Sequence, residues 1–165
     1  MDTAFSSARN QNPEAALRYK AMGLLARREQ SRNELHRKLQ VKADEEGWQV
    51  DIDALLEDLI HLGLQSDLRF SEVLVRSKAN DGYGPMRVYQ FGLQYGLNSA
   101  LIRQQLEEQN FDWFEKALKQ KRKHCGFAIA IDAKERSKQV RYLYQRGFSQ
   151  DHISYAISVD PDQPC

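Results

Sequence analysis

Apolar residues recur along most of the chain at intervals of three and four, and few stretches alternate strictly, so the pattern predicts short amphipathic helices rather than strands. Caps and breakers divide the chain into about nine of them. Asn12 followed by Pro13 opens a first helix to about Arg28, with Leu17, Ala21, Leu24 and Leu25 as its apolar stripe. Ser31 and Glu34 have capping-box spacing and open a second helix that packs Leu35 and Leu39. Asp51 caps a third, with Ile52, Leu55, Leu56 and Leu59 inward and Asp53, Glu57 and Asp58 toward water. A fourth begins near Ser66 and places Phe70, Val73, Leu74 and Ser77 on one side. The tight loop Gly82-Tyr83-Gly84-Pro85 enters a fifth helix that runs to Tyr95, and Asn98 starts a sixth carrying Leu101, Ile102 and Leu106. Asp112 with Glu115, and Asp132 with Glu135, repeat the capping-box spacing and open the seventh and eighth. The ninth follows Gly147-Phe148-Ser149 and carries Ile153, Ala156 and Ile157. One segment breaks the period: Phe127 to Ile131 is an apolar run that fits a short strand or a buried loop, and it reads as the connection between the seventh and eighth helices.

Gly47-Trp48, Gly96-Leu97 and Gly147-Phe148 each end a helix with glycine and a large apolar residue, and a capping residue and another helix follow. Their separations are 49 and 51 residues. Self-similarity at that period predicts an all-α array of tandem three-helix repeats, because one such unit cannot bury its apolar face alone. The repeats fall at 13–65, 66–110 and 111–158, between a flexible N-terminus (1–12) and a C-terminal tail (159–165). Stacked, they would form an elongated, curved array whose long concave surface suits a filament or groove better than a small ligand. A compact irregular bundle with ordinary glycine C-caps fits the spacing equally well.

Composition sets bounds on this picture. The chain has 165 residues and 41% hydrophobic content, enough for a core, and no apolar run approaches the roughly 18 residues that cross a membrane. Met1 to Pro13 lacks the apolar middle of a signal peptide, so the expected location is the cytoplasm. The net charge of +1 speaks against a polyanionic partner until its distribution is considered. Glu14 to Lys42 holds eight bases and three acids, Ala43 to Glu72 nine acids and one base, and Lys116 to Arg146 ten bases and two acids. Two basic segments are separated by an acidic one, and their fields reach about 10 Å in physiological salt.

Motifs for catalysis are missing. The chain contains no Walker phosphate loop and no nucleophile elbow. Gly82-Tyr83-Gly84-Pro85-Met86-Arg87 has only two glycines of a dinucleotide fingerprint, and Pro85 removes an amide that would bind phosphate. Asp51, Asp53, Glu57 and Asp58 can be drawn as a magnesium site, yet a capped amphipathic helix explains them without a metal. His36, His61, His124 and His152 lack zinc spacing. Cys125 and Cys165 make no disulfide framework, although Lys121-Arg122-Lys123-His124 is a setting that would lower the Cys125 thiol pKa. The chain reads as a binding protein, not an enzyme, and no metal or cofactor is expected.

Its candidate contacts with a polyanion or an acidic protein surface are basic. Lys134, Lys138 and Arg141 make one stripe on the eighth helix, with Val140, Leu143 and Tyr144 toward the core; Lys116, Lys119 and Lys123 do the same on the seventh. Arg27, Arg28, Arg32, Arg37 and Lys38 surround the first helix-helix turn. Trp48, Trp113 and Phe114 adjoin caps and are expected to serve the core. Arg146 to Ile153 reads as a helix-turn-helix corner, but the last helix exposes Gln150, Asp151, His152 and Ser154 and carries no Arg or Lys, which disfavours base readout.

Leu24 to Leu39, with its run Arg27-Arg28-Glu29-Gln30-Ser31-Arg32-Asn33-Glu34-Leu35, resembles the opening signature of the RecX regulatory proteins. Asp67-Leu68-Arg69-Phe70-Ser71-Glu72 with Gly82-Tyr83-Gly84-Pro85 resembles the family's central motif, and Gln145-Arg146-Gly147-Phe148-Ser149 its C-terminal one, in order and register over about 15–157. The resemblance implies tandem three-helix repeats in a bacterial cytoplasmic protein. It also implies a protein that binds the RecA recombinase filament on DNA, lies in its groove and suppresses ATPase, strand exchange and coprotease activities, tempering recombination, DNA repair and the SOS response; the chain is expected to act as a monomer. DNA contact is expected to be sequence-independent and salt-sensitive. The alternatives are a helix-turn-helix DNA-binding regulator and a protein-only helical adaptor. Where the family usually has Glu-Leu, this chain has Phe91-Gly92, so Gly92 is expected to leave a core gap that Phe91 partly fills.

Overall fold

The computed structural model describes residues 12–160. Of the expected flexible N-terminus and C-terminal tail, residues 1–11 and 161–165, Cys165 among them, lie outside the described residues. The described residues form nine α-helices and no strand: α1 (Pro13–Arg27), α2 (Arg32–Glu46), α3 (Ile52–His61), α4 (Asp67–Asn80), α5 (Pro85–Gln94), α6 (Ser99–Glu108), α7 (Trp113–Cys125), α8 (Ala133–Gln145) and α9 (Gln150–Ser158). Asn12, Ser31, Asp51, Asn98, Asp112, Asp132 and Ser149 all cap as expected, each accepting a backbone N–H with its side-chain oxygen. The reciprocal half of the capping box is absent at three of them. Glu34 turns to Arg28 and Lys38, Glu115 accepts from the Tyr155 hydroxyl, and Glu135 pairs with Lys138. The full box lies at Ser149, where His152 Nδ1 accepts the Ser149 N–H at 3.2 Å.

Packing divides the chain into two compact units. One holds the described residues through Ser71 together with Tyr95–Leu97, and the other holds Glu72–Gln94 and the described residues from Asn98 onward. In the first, Leu17 and Ala21 of α1, Leu35, Leu39 and Ala43 of α2 and Ile52, Leu55, Leu56 and Leu59 of α3 form the core, flanked by Leu24, Leu25, Trp48 and Val50. Ser31, buried at the start of α2, donates to the Tyr95 carbonyl at 2.7 Å, and Asn33 occupies the space a side chain on Gly96 would need. In the second unit, Ala117 and Leu118 of α7, Leu143 of α8, Phe148, and Ile153, Ala156 and Ile157 of α9 form the core, with Trp113 and Val140 against it. Gly47, Gly96 and Gly147 all adopt left-handed φ, at 68°, 77° and 89°, as the repeating punctuation predicts.

Two glycine-bearing motifs far apart in sequence meet inside the second unit. The Gly84 N–H donates to the Arg146 carbonyl at 2.8 Å and the Met86 N–H to the Gly147 carbonyl at 3.1 Å. A Cβ on Gly84 would stand 2.5 Å from the Gly147 carbonyl, so the two backbones touch with no side chain between them. The Arg146 guanidinium lies over the rings of Tyr83 and Tyr142, at 4.8 and 5.5 Å, and donates to the Asp81 carbonyl.

Several expectations are corrected. On α4 the buried stripe is Phe70, Ser71, Leu74, Val75 and Ala79, following i, i+4, i+8 from Ser71, and Val73 and Ser77 lie off it and are exposed. Tyr144 faces water rather than the core. His152 is half-buried between Phe114 and Phe148 rather than presented for recognition. The apolar segment after α7 is an exposed loop, not a strand or a buried connection, with Phe127, Ile129 and Ile131 all open to solvent. Gly92 leaves no gap. It is buried against Ile102, whose side-chain carbons would stand 2.6 and 2.7 Å from an added Cβ, and Phe91 packs edge-on to Tyr83 instead. The buried isoleucine has taken the volume that a leucine at position 92 would fill.

Gly92→Leu should therefore lower the melting temperature, with an overpacking penalty of about 1–3 kcal/mol, and a rise in thermal denaturation would refute this account. His152 yields a pH dependence. Burial lowers its pKa below 6.5, against the upward pull of Asp151 and Asp112, and the box needs the neutral ring because Nδ1 accepts. A depressed histidine binds fewer protons folded than unfolded, so its contribution is complete above pH 6.5 and is lost as pH falls below it. Melting temperature should decline from pH 7 toward pH 5, and His152→Gln should flatten that decline.

Candidate functional site

The basic residues singled out in the sequence divide into those that serve the protein's own structure and those that do not. Around the first helix-helix turn, Glu34 is buried and receives Arg28 Nη2 at 2.5 Å, Arg28 Nη1 at 3.1 Å and Lys38 Nζ at 2.8 Å. Burial pushes the Glu34 carboxyl up, but the hydrogen bonds and charges of Arg28 and Lys38 outweigh it and hold it below 4.5. Lys38 also donates to Gln30 Oε1. Arg32 reaches Asp53 at 2.9 Å and Glu57 at 3.3 Å on α3, while its backbone N–H donates to Asp67. Of the acids once conceivable as a magnesium site, Asp53 and Glu57 answer Arg32, Asp58 answers Arg18 and Asp51 caps α3, and among the described residues no three His, Cys, Asp or Glu group as metal ligands do. Arg27 and Arg37 are exposed and make no ion pair among the described residues. Arg37 borders a shallow apolar groove with Lys20, Leu24 and Val41.

In the second unit Lys116 is likewise engaged, donating to the Ala79 carbonyl and Asn80 Oδ1 at 3.3 Å and lying 4.8 Å from the Phe111 ring centre. Burial, with Lys119 nearby, lowers its pKa. Lys119, Lys123, Lys134 and Arg141 are exposed with no ion pair among the described residues, and Lys138 has a 3.6 Å contact with Glu135. The structure gathers Lys116, Lys119 and Lys123 with Arg122 along an open groove of about 520 Å³ on α7, floored by Leu118 and Phe127. Arg141 joins Arg136, Val140 and Tyr144 along a second groove on α8.

Sequence reasoning missed Arg122, Phe127, Arg136 and Tyr144 as members of these surfaces. Tyr144 was findable, since it lies three residues after Arg141 and so shares its helix face. It also missed Lys121, which is 1% exposed and donates from Nζ to the carbonyls of Phe127 and Ala128 at 3.0 and 2.7 Å. Burial lowers its pKa. The Cys125 thiol, expected to be lowered by its basic neighbours, is raised: burial dominates, Glu135 adds to it, and Lys121 opposes.

Residues 112–157 match the family model described as "RecX, third three-helix domain". The chain is 41% identical to the regulatory protein RecX of Pseudomonas savastanoi pv. phaseolicola over 143 residues, covering 87% of this chain and 90% of that one. It is 37% identical to the regulatory protein RecX of Vibrio parahaemolyticus over 154 residues, covering 93% and 97%. The crystal structure of RecX from Lactobacillus salivarius superposes with a TM-score of 0.72 at 22% identity, covering 88% of this chain and 94% of that one, which shows a shared tandem helical fold. No helix among the described residues is long and apolar enough to cross a membrane.

Glu34→Ala would leave Arg28 and Lys38 without their carboxylate. Because Arg28 is half-exposed the expected loss is about 1–2 kcal/mol, below the roughly 3–5 kcal/mol of a fully buried pair. The contribution of a depressed carboxylate is present above pH 4.5 and lost as pH falls through the folded value, so parent and variant should converge in denaturant midpoint toward pH 3. An undiminished difference there would contradict this account.

Proposed function

Because the chain belongs to the RecX family of regulatory proteins, we propose that it binds RecA and RecA–DNA filaments and negatively modulates RecA's ATPase, strand-exchange and coprotease activities, and through them recombination, DNA repair and the SOS response. The observation that carries this reading is likeness to proteins named "Regulatory protein RecX" over almost the whole chain. The protein acts by binding, as a cytoplasmic monomer with no catalytic step of its own, and its working parts are the three helical repeats at 13–65, 66–110 and 111–158.

The sorting of charges supports a division of labour. Arg28, Arg32, Lys38 and Lys116 hold the protein together. Arg27, Arg37, Lys119, Lys123, Lys134 and Arg141 have no such task and face outward, available to DNA phosphates or to acidic surfaces of RecA. Phosphate contacts release counterions, so DNA affinity falls steeply with salt. A helix-turn-helix reader of specific sites is disfavoured, since α9 exposes Gln150, Asp151 and Ser154 and holds no Lys or Arg.

The test follows ATP hydrolysis by RecA on single-stranded DNA. Substoichiometric protein should suppress it, and unchanged hydrolysis would overturn the proposal. Lys134→Glu with Arg141→Glu should weaken inhibition while leaving the melting temperature in place, and should reduce the salt slope of DNA binding by about one for each phosphate no longer engaged. Full inhibition by that variant would remove α8 from the interface. A protein-only adaptor would show the inhibition without any DNA binding.

A further inference from the structure

Two unfavourable arrangements coincide after α7. Lysine is almost never fully buried, yet Lys121 is, with its ammonium engaged by two loop carbonyls. The loop it anchors does not use this anchorage to build a core: Phe127 is 62% exposed, and Ile129 and Ile131 are open to solvent as well. The two carbonyls compensate the buried ammonium, but nothing within the unit covers the exposed apolar side chains that it holds in place, and a ligand on the loop would.

The chemistry around the loop indicates the ligand. The Arg122 guanidinium lies 5.3 Å from the Phe127 ring centre and leaves the rest of the ring in the open groove with Leu118, Lys119 and Lys123; the groove's one acid, Glu115, accepts from the Tyr155 hydroxyl. The second groove repeats the scheme on α8, with Tyr144, 66% exposed, beside Val140, Arg136 and Arg141. Arg122, Lys119, Lys123, Arg136 and Arg141 make no ion pair among the described residues. Each groove thus sets one accessible aromatic ring beside at least two unpaired cations. A polymer with one phosphate and one flat ring per unit matches this, and only its single-stranded form exposes the ring faces, since a duplex hides them in its stack. An acidic peptide answers the cations but does not call for an aromatic ring in each groove.

We propose that this unit binds single-stranded nucleic acid by stacking bases on Phe127 and Tyr144 while the neighbouring lysines and arginines hold the adjoining phosphates. The proposal rests on the DNA-contacting part of the function proposed above and adds to it a preference for unpaired strands. Lys121 is a positioning residue, holding the backbone from which Phe127 projects.

The experiment measures fluorescence anisotropy of a labelled oligothymidylate and of a duplex of equal length with the full chain. The parent should prefer the single strand. Phe127→Ala and Tyr144→Ala should each weaken single-strand binding about tenfold or more, with the salt slope and duplex binding unchanged, and Phe127→Trp should restore or exceed parental affinity. Lys119→Gln should instead lower the salt slope for both probes. Both residues are exposed, so circular dichroism should show every variant folded. Equal affinity for the two probes, or alanine variants that bind like the parent, overturns the proposal. So does a poly-glutamate peptide whose binding falls as much as the oligonucleotide's in the same variants. If the alanine variants bind single strands normally while RecA inhibition persists, the stacking proposal fails and the family-level function stands. Absence of RecA inhibition in the parent would defeat that function separately.

Discussion

The contact between Gly84 and the Arg146-Gly147 backbone determines how the second unit is put together. Two chain segments more than 60 residues apart exchange main-chain hydrogen bonds at a distance that excludes any Cβ. The start of α5 is thereby set against the turn between α8 and α9. That turn carries Phe148 into the core, and Arg146 can lie between Tyr83 and Tyr142 only because the backbones beneath it are in contact. The capping of α9 by Ser149 and His152 begins one residue beyond Phe148. Core, cap and arginine sandwich all depend on two residues that have no side chain.

A comparable economy governs charge in the first unit. Glu34 is one buried carboxylate with three short donor contacts, and it takes up Arg28 in the α1–α2 turn and Lys38 one turn along α2. Arg32 is taken up by Asp53 and Glu57, and Arg18 by Asp58, so much of the acidic stretch neutralises bases that precede it in sequence. The near-zero net charge is therefore local as well as global in this region. The second unit cancels less: α7 and α8 keep more outward cations that no acid answers than the Arg27 and Arg37 left over in the first.

The helices and their caps were legible because both are local. Asn12, Asp51 and Ser149 act within one turn, and period and cap residue reinforce each other. The glycine punctuation was legible for the same reason, since left-handed φ is a one-residue property. What could not be read is what depends on distant partners. Gly92 looks like a missing leucine until Ile102 is placed against it. Glu34 looks like half of a capping box until Arg28 folds back onto it. The Cys125 thiol looks activated by neighbours in sequence, but burial decides its direction. Among the candidate contacts, residue type selected the right class of side chain. Separating structural bases from free ones required knowing where each acid lies, and periodicity carries no information on that.

Lys121 grips its loop by carbonyl oxygens, which every amino acid possesses. The loop's path is therefore insulated from its side chains. Residues 128 to 131 can be exchanged without loss of the anchor, so the surface beside Phe127 can be retuned while the scaffold beneath stays constant.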